Sequence, residues 1–235
     1  MSRYLLTIAA GILFFPQIAI ADTIYTTLGP DGTYYFAAGT AVSGTAASIF
    51  GSPVPPSRVA AQFTAQNNYL LTEVDLAITN VDGTNGVTIT LAEDLGGLPG
   101  SAIAAWTFSN LPGFGSTDRF YERAIETSPL RLLAGTSYWV VASPLAADTY
   151  DVWNLNSNSG TGVGGVIAID SGNGFVSSIL PSDTFAYKVI GTLDAQGPPP
   201  SVPEPASLSL AFAALAGMAW RRFGYRGGEG KKLRS

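Results

Sequence analysis

Four carboxylates are the residues of this 235-residue chain whose types and spacing come closest to a catalytic arrangement. Glu93 is adjacent to Asp94, and Glu122 lies four residues before Glu126. Glycoside hydrolysis uses two carboxyl groups that face each other across about 5–10 Å. Neighbours on a strand point to opposite faces, so Glu93 and Asp94 cannot form such a pair within a regular strand. Solubilising surface acids are therefore the preferred interpretation, and a glycan-active hydrolase is the weakest functional hypothesis.

The chain contains no histidine and no cysteine. Without cysteine there can be no disulfide, thiolate nucleophile, iron–sulfur cluster or thiolate zinc site. Without histidine, Ser-His-Asp and Cys-His catalysis and imidazole metal ligation are excluded as well. We therefore predict a protein that is not an enzyme and that requires no cofactor.

Two loops contain oxygen ligands of the kind that calcium prefers. One pairs Asp82 with Asn85, and the other pairs Asp170 with Asn173. Neither loop has the acidic residue at the twelfth position of an EF-hand or its full set of ligands. Because Asp and Asn side chains also hydrogen-bond the local backbone in turns, turns are preferred at both places. Structural calcium at Asp82 or Asp170 is the alternative.

Aromatic residues on two neighbouring strand candidates could form a platform for sugar rings. On the first, Trp139 alternates with Tyr138 within a segment that is apolar on both faces, which favours a buried central strand. On the second, Trp153 stands between polar neighbours, with Tyr150 three residues before it. Trp153 and Tyr150 are therefore the candidate glycan-binding residues.

Short segments of period-two hydrophobicity run from residue 22 to residue 194. In one of them Val74, Leu76 and Ile78 alternate with more polar residues, as in a half-buried strand. Gly, Asn, Asp and Pro separate the segments, and no segment shows a sustained helical period. This predicts an all-β fold, an antiparallel β-sandwich or jelly roll; a β-solenoid would need a fixed-period repeat, which is not found. The strand candidates are 60–64, 73–79, 87–91, 102–108, 119–125, 137–142, 150–155, 165–169, 175–179 and 184–190.

Charge is unevenly distributed along the chain. The formal net charge is −5, but the segment 22–197 has 15 acidic and 5 basic residues, a net of about −10. After Trp220 the balance reverses to six basic residues against one acid. An acidic body argues against nucleic-acid binding, which needs clustered Lys and Arg.

Residues 1–21 have the pattern of a secretory signal peptide. Arg3 precedes an apolar run over 4–15, and Ala19 and Ala21 occupy the −3 and −1 positions of a cleavage site. A buried helix would show a polar face, which this segment lacks. We therefore predict export and processing by signal peptidase.

The C-terminal region has three parts. Residues 195–205 form a proline-rich linker, 206–220 are free of charge and largely apolar, and 221–235 are basic. Proline favours an extended linker. A basic segment directly after an apolar run is typical of the cytoplasmic side of a transmembrane helix. The sequence thus predicts a transmembrane helix at 206–220 and a cytoplasmic tail, with the body outside.

Pro203-Glu204-Pro205, the apolar helix and Arg221-Arg222 together resemble the PEP-CTERM sorting signal of Gram-negative bacteria that make exopolysaccharide. The resemblance covers roughly the last thirty-five residues. It implies recognition of the Pro-Glu-Pro segment by an exosortase, a membrane cysteine protease–transpeptidase, and removal of the helix and tail. The tail after Arg222 is longer than such signals usually have.

The body resembles the choice-of-anchor domains of bacterial surface proteins, most nearly the R type. This implies an all-β sandwich whose relatives share an anchoring strategy, and it transfers no catalytic residues. The matching segments are 61–64, 71–78, 87–94, 97–100, 130–136, 138–141, 150–153, 159–162 and 185–189.

The first functional hypothesis is a non-enzymatic protein exported across the inner membrane and anchored there as a precursor. An exosortase would then sort it to the cell surface or extracellular matrix, where it would associate with exopolysaccharide or biofilm. The alternative is a carbohydrate-binding module for cell-surface polysaccharide.

Overall fold

A computed structural model of the protein describes residues 21–116, 121–157 and 162–194. Within these ranges the chain forms fifteen strands and one turn of 3-10 helix at Pro30–Gly32. Every pair of neighbouring strands is antiparallel, which confirms the predicted all-β fold with antiparallel sheets. In chain order the strands are β1 (Asp22–Thr26), β2 (Tyr35–Ser43), β3 (Ser48–Ile49), β4 (Ser52–Pro53), β5 (Arg58–Thr64), β6 (Tyr69–Leu76), β7 (Ile78–Asp82), β8 (Gly86–Asp94), β9 (Pro99–Ser109), β10 (Glu122–Leu132), β11 (Ser137–Pro144), β12 (Tyr150–Leu155), β13 (Gly165–Asp170), β14 (Phe175–Leu180) and β15 (Tyr187–Leu193).

The strands form one large sheet and two smaller ones, beside a short hairpin of β3 and β4. The six-stranded sheet has the order β14-β13-β5-β11-β8-β9. The four-stranded sheet has the order β1-β15-β6-β10, and the three-stranded sheet has the order β2-β12-β7. Side chains from all three sheets contribute to a single main core, an arrangement consistent with a β-sandwich.

The predicted strand at 73–79 is wrong as one continuous element, because the chain changes sheets at Ala77. The Ala77 N–H donates to the Ala186 carbonyl (3.0 Å), while the Ala77 carbonyl accepts the N–H of Asn154 (2.8 Å). Ala186 directly precedes β15 of the four-stranded sheet, and Asn154 lies in β12 of the three-stranded sheet, so β6 ends before Ala77 and β7 begins after it. Ala77 thereby joins the two smaller sheets.

The main core is rich in paired aromatic rings. Phe63 stacks on Tyr138 with ring centroids 5.7 Å apart, and Trp153 stacks on Phe185 at 4.8 Å. Tyr187 contacts the edge of Trp153 at 5.9 Å. Fully burying each large apolar side chain contributes about 1.5–3 kcal/mol, so this cluster is a major source of stability.

The six-stranded sheet also buries side chains on its outer face. Trp139 and Val141 of β11 form a second cluster there with Ala60, Ala92 and Ala168. Tyr138 and Val140 point into the main core from the same strand. Because β11 lies between β5 and β8, this confirms Trp139 as a buried residue of a central strand.

The two ends of β5 mark the two ends of the body. The N–H of Asp194 donates to the carbonyl of Asn68, in the turn that follows β5 (2.9 Å). Asp22 at the start of β1 pairs with Gly191 near the same end. Arg58 begins β5 at the other end, where it pairs with Asp170. The described body therefore begins and finishes at one end, opposite Arg58.

Several strand bounds differ from the predicted ones. The 119–125 candidate corresponds to β10, which begins at Glu122 and continues to Leu132 past an irregularity after Ile125. The 184–190 candidate corresponds to β15, which begins at Tyr187 and continues to Leu193. Strands β1, β2, β3 and β4 were not predicted.

Candidate functional sites

The predicted glycan platform at Trp153 and Tyr150 is wrong, because Trp153 has no exposed ring face. Its side chain is 0% exposed, and its indole N–H donates to the carbonyl of Ala186 at 3.0 Å. Tyr150 is partly buried at the start of the same strand. A tryptophan enclosed in the core cannot stack on a sugar ring from outside.

The first calcium candidate has its side chains engaged by separate backbone groups. Asp82 accepts the N–H of Gly83 at 2.8 Å. The Asn85 side chain accepts the N–H of Leu111 at 2.6 Å and donates to the Leu111 carbonyl at 2.9 Å. The two side chains thus stabilise a turn and a neighbouring loop, which favours the turn interpretation.

The second calcium candidate, Asp170, is 5% exposed and has both oxygens engaged. Oδ1 accepts the N–H groups of Gly172 and Gly174, each at 2.8 Å. Oδ2 accepts Nε of Arg58 at 3.0 Å and also Nη2 of Arg58. The hydrogen bonds from Arg58 are the largest cause that lowers the pKa of Asp170. This carboxylate serves a turn and an ion pair. Among the described residues, no group of three or more acidic side chains is placed to hold a metal ion.

The catalytic carboxylate candidates are not brought together on one sheet. Glu93 and Asp94 end β8 of the six-stranded sheet, whereas Glu122 and Glu126 lie on β10 of the four-stranded sheet. Glu126 accepts the N–H of Ser128 at 2.7 Å, and burial raises the pKa of Glu122.

Asp94 organises a polar network on the outer face of the six-stranded sheet. Its Oδ1 accepts Nε1 of Trp139 and Nε2 of Gln62, each at 2.7 Å. Its Oδ2 accepts the N–H of Gly97 at 3.1 Å. Burial raises the pKa of Asp94, but these hydrogen bonds together outweigh it and the net shift is downward. The network fixes the Trp139 ring and the loop at Gly97.

Asp151 is a buried carboxyl that sequence reasoning did not single out. It is 0% exposed on β12, and its Oδ1 accepts Nδ2 of Asn80 at 2.8 Å. Its Oδ2 has no hydrogen-bond partner within the part of the chain that the structure describes. Burial raises the pKa of Asp151 to about 7, although the hydrogen bond from Asn80 opposes the shift. The only sequence signal was an acid inside a mostly apolar strand.

A second such carboxyl, Asp75, lies on β6 two residues after Glu73, so both point to the same face. Burial and, to a smaller extent, the neighbouring Glu73 raise the pKa of Asp75 to about 7. Arg123 and Lys188, which pair with Asp75 from the two flanking strands, oppose the shift. This is a mixed cluster of two acids and two bases.

The predicted end signals lie almost wholly outside the described residues. The signal peptide is described only at Ala21, directly before β1. The proline linker, the apolar helix at 206–220 and the basic tail fall outside the described ranges. No helix within those ranges is long and apolar enough to cross a membrane.

Comparison with known families identifies the C-terminal signal. The described residues define the class of the body, an antiparallel all-β sandwich followed by a C-terminal extension. Residues 201–222 of that extension match the PEP-CTERM protein-sorting motif, so the chain carries this sorting signal. The match contains the predicted residues Pro203, Glu204, Pro205, Arg221 and Arg222.

The motif has direct consequences for the fate of the chain. It implies processing by an exosortase, export, and a membrane-anchored precursor that is then sorted to the cell surface. No curated protein and no solved structure matches the chain. The resemblance of the body to choice-of-anchor domains therefore stays a prediction.

Proposed function

We propose that the protein is a non-enzymatic component of an exopolysaccharide matrix or biofilm, displayed by exosortase sorting in a Gram-negative bacterium. The observation that carries the proposal is the PEP-CTERM protein-sorting motif at residues 201–222. In this proposal signal peptidase cleaves after Ala21, and the 206–220 helix holds the precursor in the inner membrane. The exosortase then removes that helix and the basic tail.

The construction of the body supports a binding or structural role rather than catalysis. Asp94 and Asp170, which were candidates for catalysis and for calcium binding, have structural hydrogen bonds. Asp94 accepts the indole N–H of Trp139, and Asp170 accepts Nε of Arg58. With neither histidine nor cysteine in the chain, the common nucleophile–base pairs are excluded. We therefore assign the body no catalytic residue and no required cofactor.

The sorting role is tested by substituting Pro203, Glu204 and Pro205 together with alanine in the full chain. In a host that has an exosortase, the unaltered chain should be shortened at its C-terminus, while the variant should keep its apolar helix. Mass spectrometry of the protein from membrane and medium measures the difference.

A matched control replaces Pro198, Pro199 and Pro200 with alanine, which changes three linker residues outside the matched motif. This control should be processed like the unaltered chain. If the Pro203–Pro205 variant were processed as completely as the control, the sorting role of the Pro-Glu-Pro segment would be refuted.

A further inference from the structure

A cleft of about 470 Å³ opens at the end of the body where β5 begins. Four chain segments build it, at residues 43–45, 56–58, 144–147 and 170–172. Two of these are tied together, since the N–H of Gly44 donates to the Thr149 carbonyl (2.9 Å) and that of Ala46 to the Ala147 carbonyl (2.7 Å). Because the body begins and finishes at the opposite end, the cleft is remote from the point where the chain continues toward its sorting signal.

Among the described residues that line the cleft, Arg58 is the one that is basic, and its side chain is held in place from two sides. Nε and Nη2 both donate to the same oxygen of the buried Asp170. The guanidinium carbon lies 5.0 Å from the centroid of the Phe175 ring, a cation–π contact. A guanidinium fixed in this way loses little conformational entropy when it binds a further group.

The contact with Asp170 uses only one edge of the guanidinium. Arginine has five N–H donors, and the Nε–Nη2 edge is the one that faces Asp170. The hydrogen bonds to Asp170 use Nε and Nη2, and the Arg58 side chain is 50% exposed, so the Nη1–Nη2 edge is the one left for a ligand. That edge has the geometry of a fork that binds a carboxylate through two parallel hydrogen bonds.

The remaining lining suits a sugar ring rather than an extended charged chain. It offers the hydroxyl-bearing residues Thr45 and Ser57 and the apolar surfaces of Pro56, Pro144 and Leu145. Hydroxyl groups can exchange hydrogen bonds with ring hydroxyls, and small apolar surfaces can cover the C–H face of the ring. Asp170 also lines the cleft, so Arg58 would bridge two carboxylates, that of Asp170 and the one on a sugar unit.

We propose that this cleft binds a uronic-acid unit of an acidic polysaccharide, with the free edge of Arg58 holding the sugar carboxylate. The inference rests on the proposed function, because it names the class of polymer that a matrix protein of this kind would contact. The proposed sugar site thus lies at the start of β5, whereas the sequence had placed it at Trp153 of β12.

The negative net charge of the body predicts an unusual salt dependence for the binding of an acidic polysaccharide. With 15 acids and 5 bases over residues 22–197, the body repels a polyanion at long range. This repulsion is screened beyond about 8 Å at physiological ionic strength, whereas the contact at Arg58 acts at short range. Binding should therefore be weaker at low salt than at 0.15 M, which is the opposite of ordinary attraction between a basic protein and a polyanion.

The test uses the full chain in detergent micelles, titrated with oligogalacturonate at about 0.15 M salt, the ionic strength at which that screening applies. Oligogalacturonate should bind, and its methyl ester, which lacks the charge, should bind at least about tenfold more weakly. Arg58→Lys keeps a positive charge but loses the fork, and should lower the affinity by a similar factor. Arg123→Lys is the matched control, because Arg123 is 64% exposed on the four-stranded sheet, away from the cleft, and should leave affinity unchanged.

A second variant keeps the test valid if Arg58→Lys disturbs folding through Asp170. Thr45→Trp fills the cleft from an exposed position and leaves the ion pair intact, so it should also abolish binding. Thermal unfolding of each variant shows whether it folds. The proposal is overturned if oligogalacturonate does not bind, if its ester or an oligoglutamate binds equally well, or if Thr45→Trp binds normally. Each of these results would leave the sorting experiment on Pro203–Pro205 unaffected.

Discussion

Asp151 shows how one buried residue can set the pH dependence of the whole domain. Its carboxyl is 0% exposed with one oxygen unpaired among the described residues, and burial raises its pKa to about 7. In the unfolded chain an aspartate has a pKa near 3.9. Between these two values the unfolded state releases a proton that the folded state retains. The contribution of Asp151 to the free energy of unfolding is therefore fully present below about pH 4, and it is lost as the pH rises to about 7.

Asp151→Asn should consequently stabilise the protein at neutral pH. The amide keeps the acceptor for Asn80 and cannot ionise, so the variant should gain up to about 4 kcal/mol at pH 8 and little at pH 4. Urea unfolding across this pH range measures the difference. Asp82→Asn is the control, since Asp82 is exposed. Equal stability of Asp151→Asn and the unaltered chain at pH 8 would show that ionisation of the buried Asp151 carboxyl does not destabilise the folded state.

The sequence allowed a correct prediction of burial for Trp139 but not for Trp153. Trp139 was correctly predicted to be buried, because apolar residues on both faces of its strand are a local property that the sequence displays. Trp153 could not be decided in this way, since Asp151 and Asn154 suggested a solvated strand. Both polar side chains are buried, and they hydrogen-bond with Asn80, Thr79 and Ala38, partners 70 or more residues distant along the chain. Long-range partners of this kind leave no local signal.

At the scale of elements, the alternation of apolar and polar residues located most strands, but it did not show where the chain passes from one sheet to another. The bounds predicted for Tyr150–Leu155 agree with β12. The segment 73–79 alternates without interruption, and only the hydrogen bonds of Ala77 to Ala186 and Asn154 reveal that it belongs to two sheets. Those partners lie more than 70 residues further along the chain, so local periodicity cannot identify the change of sheet.

Strand β2 escaped prediction because its sequence contains glycine and alanine in place of alternating large residues. The structure explains one of these choices. A Cβ atom on Gly39 would collide with the backbone carbonyl of Trp153 and with the side chain of Val152 on β12. Glycine is therefore required for the close approach of β2 to β12.

Gly39→Ala should accordingly destabilise the domain by roughly 1–3 kcal/mol, since the added methyl group forces β2 and β12 apart. The shift of the urea midpoint measures this loss. Gly113→Ala provides a matched control, because a Cβ at Gly113 has no atom within 4 Å and that residue is exposed. If both variants unfolded at the same urea concentration, the close approach at Gly39 would not limit the packing of the three-stranded sheet.

At the scale of the whole molecule, the acidic body and the basic C-terminal tail differ in the sign of their charge. The basic residues after Trp220 offset part of the acidic body in the precursor, so removal of the tail leaves a more acidic protein. Within the described residues, three arginines form ion pairs, with Asp170, Glu73 and Asp194. Over residues 22–197 the acids outnumber the bases that could pair with them by 15 to 5.

This imbalance predicts that salt stabilises the processed protein. Screening weakens repulsion among the exposed acids, and it affects the Arg58–Asp170 and Arg131–Asp194 pairs less, because the carboxylates of Asp170 and Asp194 are only 5% and 4% exposed. The thermal midpoint should thus rise between about 0.02 and 0.3 M NaCl, over which the Debye length falls severalfold. A double variant, Glu93→Gln with Asp148→Asn, removes two exposed acids and should show a smaller rise. A midpoint that fell with salt would mean that the ion pairs, not the repulsion, dominate the electrostatic free energy of the body.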